Sequence, residues 1–251
     1  MVKSYREGKL VQLPSLLEAL NVEKSAAPVL SFTGAGGKTT LITRMADEYL
    51  RRGTRVVVTT TTRMMAWDYP WFLLEPSAEQ MERILADEGM VWLGLPAAGG
   101  KMQAPPRGFL QLVLEMGYPL LIEADGARRF PVKAPASHEP VLLPETTHVI
   151  NVCGLDSLGK PMEEVCFRPE IAAGLLQKQK TDPVTREDIV ELALDSRAGK
   201  KHVMPHMTYQ LVLNKADGTK DEANALGICR LAEKRGFTQI TVTAGGSQIQ
   251  R

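Results

Sequence analysis

A chain of 251 residues, 44% hydrophobic and 24% charged, can bury a globular core of one or two domains, and its net charge of +1 gives no field for drawing nucleic acid or a membrane surface. Its three cysteines, Cys153, Cys166 and Cys229, are odd in number and form no C-x-x-C pair, which argues against a disulfide framework or a tetrahedral zinc site and fits a reducing cytoplasm. No apolar run approaches about 18 residues, and the charged start Met-Val-Lys-Ser-Tyr-Arg-Glu lacks a signal-peptide core, so a cytoplasmic protein without a membrane segment is expected.

A short N-terminal helix is expected over 13–21, with Ser15 and Glu18 spaced as a capping box. An apolar strand follows at 28–33, and it ends in Gly34-Ala35-Gly36-Gly37-Lys38-Thr39-Thr40. Glycines let backbone amides approach an anion, and the helix beginning near Lys38 aims its free N–H groups and positive dipole end at the same point. Lys38 can reach terminal phosphate oxygens, and Thr39 can offer a hydroxyl to Mg²⁺. Residues Gly34 to Thr40 are therefore read as a phosphate loop. The full G-x-x-x-x-G-K-[ST] pattern would need Gly at position 32, where the chain has Phe32. The loop is thus a shortened one that resembles the ATP loops of Mur-type ligases. A dinucleotide loop of the Rossmann type would need its third glycine at Thr39.

The helix from about Lys38 to Arg52 carries Leu41, Ile42, Met45 and Tyr49 on one face, with Gly53 after its end. The strand Arg55-Val-Val-Val-Thr-Thr suits a parallel sheet covered on both faces and delivers four threonines, 59–62, to its carboxyl end. Thr60 is the candidate among them to ligate Mg²⁺. Met64 to Pro76 reads as irregular, with Trp67, Trp71 and Phe72 packing on the surface rather than forming a lid. A helix capped at Ser77, a strand over 90–94, a Gly/Pro-rich loop over 97–107 and a helix over 108–116 follow.

The strand Pro119-Leu-Leu-Ile-Glu123-Ala-Asp125-Gly126 has the form of a Walker B element, an apolar strand that carries a carboxylate to its end. Asp125 is expected to hold Mg²⁺. Glu123 lies two residues earlier on the same strand face and is expected to share that task or position an attacking water. The Pro-punctuated loop beyond supplies Arg128, Arg129 and Lys133, cations suited to a second anionic ligand or a partner protein. Neither His138 nor Glu139 has an evident catalytic role.

Strand 148–153 leads into a glycine-bearing turn, and the region 163–205 reads as a helical insertion. The strand from Tyr209 then runs into Asn214-Lys215-Ala216-Asp217, the N-K-x-D pattern that reads guanine. An Asp carboxylate there accepts from guanine N1–H and N2, whereas adenine would leave it desolvated and unpaired. A helix with Thr219 and Glu222 as capping box and a last strand, 239–243, close the pattern, and Ala244-Gly245-Gly246 is placed to cover the base. Strands alternating with helices predict one α/β domain over 1–251, a P-loop NTPase-like three-layer fold with about seven mostly parallel strands and helices on both faces.

The Thr-Gly-Ala-Gly-Gly-Lys-Thr-Thr, Val-Thr-Thr-Thr-Thr, Glu-Ala-Asp-Gly-Ala-Arg-Arg-Phe-Pro-Val-Lys-Ala-Pro, Gly-Leu-Asp-Ser-Leu-Gly-Lys-Pro, Arg-Pro-Glu and Leu-Asn-Lys-Ala-Asp segments together resemble the YqeC family, over roughly residues 28 to 246. The resemblance implies an accessory protein in the maturation of selenium-dependent molybdenum hydroxylases, with such a hydroxylase or its maturation proteins as partner. Combined with the site, it predicts a Mg²⁺-dependent, slow nucleoside triphosphatase that favours GTP over ATP. An ATP-dependent ligase or kinase, and a nucleotide-gated delivery chaperone with negligible turnover, are the alternatives.

Overall fold

The computed structural model describes residues 1–25 and 27–245. One ten-stranded sheet organises the chain. Its strands are β1 (Val2–Arg6), β2 (Lys9–Gln12), β3 (Val29–Gly34), β4 (Val56–Thr60), β5 (Phe72–Leu73), β6 (Met90–Leu93), β7 (Leu120–Glu123), β8 (His148–Gly154), β9 (Thr208–Asn214) and β10 (Ile240–Thr243). Their spatial order is β2-β1-β10-β9-β8-β3-β7-β4-β6-β5. Every neighbouring pair from β10 across to β5 is parallel, and only the β1–β2 hairpin joins antiparallel, along β10. The α-helices among the described residues are α1 (Leu16–Ala19), α2 (Lys38–Arg51), α3 (Ala78–Glu88), α4 (Arg107–Glu115), α5 (Met162–Val165), α6 (Pro169–Leu176), α7 (Arg186–Leu194) and α8 (Thr219–Glu233).

The two-residue period of a strand sorts the core into layers. Leu30 and Phe32 of β3, Val56 and Val58 of β4, Leu121 of β7 and Val152 of β8 pack with Leu41, Ile42 and Met45 of α2 and with α1. The alternate residues face the other way. Val29, Val57, Leu120 and Ile122 meet α3 and α4. Val149, Cys153, Leu211 and Leu213 meet α7 and α8. The architecture is therefore three-layered, as expected.

Three expectations change. The sheet gains the β1–β2 hairpin, which turns at Glu7–Gly8 with positive φ at both residues and is largely exposed on its outer strand. Thr219 does not cap α8: Gly218 holds that place without a side-chain bond, and the Glu222 carboxylate instead takes the Lys3 ammonium at 2.7 Å. The stretch after Thr62 is not irregular throughout, since Arg63–Met65, Leu95–Ala97 and Lys101–Gln103 form a small antiparallel sheet. As expected, the aromatics there pack rather than hang free, with Trp67 edge-on and Phe72 stacked against the buried Trp92. The helical stretch 163–205 packs onto the sheet, where the Tyr209 hydroxyl donates to Ala193 O of α7 at 2.6 Å.

Candidate functional site

Strand β3 is buried along its whole length and ends between β7 and β8, so the chain must leave the sheet in a crowded place. Glycine makes that exit feasible. Gly34, Gly36 and Gly37 have φ of 84°, 82° and 118°. A side chain at Gly36 would press into the backbone of Gly154 and Pro131, and one at Gly37 into the Asn214 amide. Three loop amides are tied inward: Gly34 N–H donates to Asp125 Oδ2 at 3.1 Å, Ala35 N–H to Val152 O at 2.8 Å and Gly36 N–H to Phe130 O at 2.9 Å. The first bond of the α2 ladder runs from Leu41 N–H to Gly37 O, so the amides of Lys38, Thr39 and Thr40 have no intrahelical acceptor. The amides of this unit left free for an anion are therefore those of the first turn of α2, where the helix dipole adds its positive end.

The lysine of that turn is folded inward. Lys38 is buried, donates to Gly34 O at 2.6 Å and lies 3.0 Å from Asp125 Oδ1. Asp125, at the end of β7, is also buried, and its Oδ2 lies 3.0 Å from the Lys133 ammonium. Its Oδ1 accepts no aligned hydrogen bond. Lys133 continues the chain of charge, donating to Gly126 O and to Glu139 Oε2, each at 2.8 Å. Arg168 then closes on Glu139 through both of its terminal nitrogens, at 2.7 and 3.3 Å. Five charges thus alternate in sign from the phosphate loop to the surface: Lys38, Asp125, Lys133, Glu139, Arg168. Burial alone would raise the Glu139 carboxyl pKa, but hydrogen bonds and charge from Lys133 and Arg168 outweigh it and pull the value down to about 2.

Glu123 stands apart from this chain. Its Oε2 accepts from the Thr39 hydroxyl at 2.7 Å. Burial pushes its pKa up, and the Lys38 charge and the Thr39 bond only partly oppose that. Thr39 and Glu123 together offer hard oxygen donors at the helix turn, the kind that suits Mg²⁺ completed by phosphate oxygens. No cluster of three His, Cys, Asp or Glu side chains able to hold a metal alone occurs among the described residues.

Several residues sit otherwise than expected. Asp125 meets two ammonium groups rather than lying open to a cation. The Thr60 hydroxyl is engaged by backbone rather than open to a cation: it donates to Glu123 O at 2.8 Å and accepts from Thr62 N–H at 3.0 Å. Lys133 is not a surface clamp but the buried centre of the charge chain. Only Arg128 and Arg129 of the three loop cations are exposed, both with left-handed backbone, and Arg128 lies 5.4 Å from the centre of the Phe167 ring. Glu139 and Arg168 escaped the sequence reading, because each gains its partners only through folding. Cys153 and Cys166 are core thiols whose pKa burial pushes up to about 12.

At the far end, Asn214 donates to Gly36 O and accepts from the Thr243 hydroxyl, both at 2.8 Å, and so locks the ends of β9 and β10 to the phosphate loop. Asp217 is exposed and accepts from Gly245 N–H at 2.7 Å. Lys215 pairs with Asp156 at 2.7 Å, in solvent. Gly246, the rest of the expected base cover, lies outside the described residues.

A parallel sheet whose central strand runs through a glycine loop into a helix headed by Lys-Thr, with the carboxylates of the neighbouring strand beside it, is an α/β fold of the phosphate-loop type. The chain belongs to the YqeC family: the family model described as YqeC protein matches residues 30–170, more than half of the sequence. It is 35% identical over 136 residues to "Uncharacterized protein YqeC" of Escherichia coli (strain K12), a match covering 52% of this chain and 53% of that protein, so about half the length of that curated relative is spanned. Among solved structures it is similar to the 54 kDa signal recognition particle protein from Aeropyrum pernix K1 in complex with GDP. That likeness has a TM-score of 0.42 and 15% identity, and covers 92% of this chain and 46% of that one. At those values it carries no functional argument.

Proposed function

We propose that this chain binds a nucleoside triphosphate together with Mg²⁺, prefers GTP to ATP, hydrolyses it slowly and acts as an accessory factor in the maturation of selenium-dependent molybdenum hydroxylases. The observation that carries the nucleotide reading is the convergence of Lys38, Thr39, Glu123 and Asn214 on one glycine loop, with 2.7 Å between Thr39 and Glu123 and 2.8 Å between Asn214 and Gly36. The amides of Lys38, Thr39 and Thr40 cradle phosphate oxygens. Lys38 exchanges Gly34 O and Asp125 for the phosphates. Thr39 and Glu123 hold the Mg²⁺, which when bound supplies charge neutralisation to the phosphates. Asp217 reads guanine, and Asn214 sets its loop.

Slow turnover is part of the same reading: with Glu123 on the Mg²⁺ and Asp125 still held by Lys133, neither carboxylate is left to orient an attacking water. The hydroxylase partner rests on the family resemblance. Nucleotide-dependent capture of a molybdenum hydroxylase by the purified chain tests it, and capture that ignores GTP overturns it.

Equilibrium binding of GTP and ATP with Mg²⁺ is the direct test of the nucleotide. GTP is expected to bind more tightly; tighter ATP binding removes the guanine assignment. Lys38→Ala is expected to abolish binding of either nucleotide, and an unchanged affinity would sink the phosphate-loop reading. An ATP-dependent ligase or kinase is the second reading, favoured by the shortened loop. Product analysis with ATP separates it from simple hydrolysis.

A further inference from the structure

At the carboxyl ends of β4 and β7 the surface opens into a cleft of about 430 Å³ lined by Thr62, Arg63, Gln103, Gly126, His138 and Glu139 among others. Such a position, outside the carboxyl ends of parallel strands, is where open α/β sheets bind ligands. The cleft adjoins the nucleotide site directly. Thr60 is in register with Glu123, and Thr61 N–H donates to Glu123 O at 3.2 Å, so the cleft wall grows out of the strand pair that bears the Mg²⁺ candidate.

Its polar groups are available. The side chains of Arg63, Gln103 and His138 make no hydrogen bond or ion pair among the described residues, and Arg63 and His138 are exposed. The acidic group at the floor, Glu139, is not available: its carboxylate is covered by Lys133 and Arg168. The adjoining charge chain adds no surplus, because its three cations face Asp125, Glu139 and the nearby Glu123, so the cleft's own unpaired charge is Arg63. A cleft whose unpaired groups are donors and whose acid is covered selects an anion.

We propose that this cleft binds a second, small anionic molecule bearing a carboxylate or a phosphate, its charged group held by Arg63 and His138. This moves the second-ligand site away from the Arg128–Lys133 loop, whose lysine is buried and whose Arg128 lies against Phe167. The ligand's service as a second substrate rests on the nucleotide reading; its binding does not.

The test titrates the full chain with inorganic phosphate and, in parallel, with succinate, following the imidazole resonances by NMR, with His138→Ala identifying the His138 signal. A saturable shift of His138 is expected, weakened about tenfold or more in Arg63→Ala, the size of one lost charge-assisted hydrogen bond. Arg129→Ala is expected to leave it unchanged. Lys38→Ala separates the two sites, because it removes phosphate binding at the loop and leaves the cleft response intact. Gln103→Ala gives a second cleft variant should Arg63→Ala fold poorly. A stronger response to phosphate assigns a phosphorylated ligand, and one to succinate a carboxylate. No saturable His138 shift with either probe, or a shift lost in Lys38→Ala and kept in Arg63→Ala, overturns the proposal. Failure of the nucleotide reading shows separately, as absence of GTP and ATP binding to the unaltered chain.

Discussion

The two ends of the candidate site are built in opposite ways. At the phosphate end Lys38, Asp125, Lys133 and Glu139 are buried and already paired with one another. At the base end the charges are exposed, with Lys215 held by Asp156 and Asp217 by a single amide of Gly245. Under the proposed function, the difference makes phosphate binding an exchange of partners, in which Lys38 leaves a carboxylate that Lys133 continues to satisfy, and base reading the filling of an open acceptor.

The sharpest way to break this comparison is Lys133→Met. It leaves Asp125 with Lys38 alone and Glu139 with Arg168 alone, and losing one partner of a buried pair costs up to roughly 3–5 kcal/mol. Denaturant titration is expected to show that loss, whereas Arg129→Ala, on the same loop but in solvent, should stay within about 0.5 kcal/mol. Next in size is Asp217→Ala. It should weaken GTP binding by about 10- to 100-fold through lost charge-assisted hydrogen bonds and leave ATP affinity and the melting temperature unchanged. An equal loss for ATP would mean that the base end does not discriminate.

Glu123→Gln distinguishes the two ends by pH. Burial raises the folded-state pKa of Glu123, so its contribution to stability is full below its unfolded pKa and is lost as pH rises through the folded value. The nucleotide-free variant is therefore expected to melt roughly 2–4 °C higher at neutral pH, with the gain fading in acid. It should also lose the Mg²⁺ dependence of nucleotide binding. Glu139 has the opposite sign: held down to about 2, it stabilises above its ordinary range and loses that contribution as pH falls toward that value. The smallest effect is Lys215→Ala, an exposed pair whose removal should change stability by less than about 1 kcal/mol in a melting curve.

Much of this was legible along the chain, for reasons that differ by element. Strands β3, β4, β7 and β9 announce themselves because burial on both faces requires continuous apolar runs. The glycine loop is legible because its backbone needs positive φ at three places. The β1–β2 hairpin was missed because an edge strand exposed on Lys9, Val11 and Gln12 has no apolar run to display. The role of Lys133 was misread for a similar reason. A lysine between prolines looks solvated, and nothing within its own segment reveals that Asp125 and Arg168 will enclose it and Glu139. Thr60 looks like a ligand by position alone, but its hydroxyl goes to Glu123 O, which only the sheet brings near, and to the amide of Thr62 two residues on.

The bond from Asn214 to Gly36 spans 178 residues of sequence, and Val152 and Phe130 grip the same loop from two further segments. The loop's shape is therefore a property of the assembled sheet. A fragment that ends before β9 would keep every residue of the motif and lose the wall against which it is bent. Nucleotide affinity measured on successive C-terminal truncations should accordingly lose its guanine preference once Asp217 is removed and vanish altogether with β9, which makes ligand binding a reporter of complete folding rather than of a local segment.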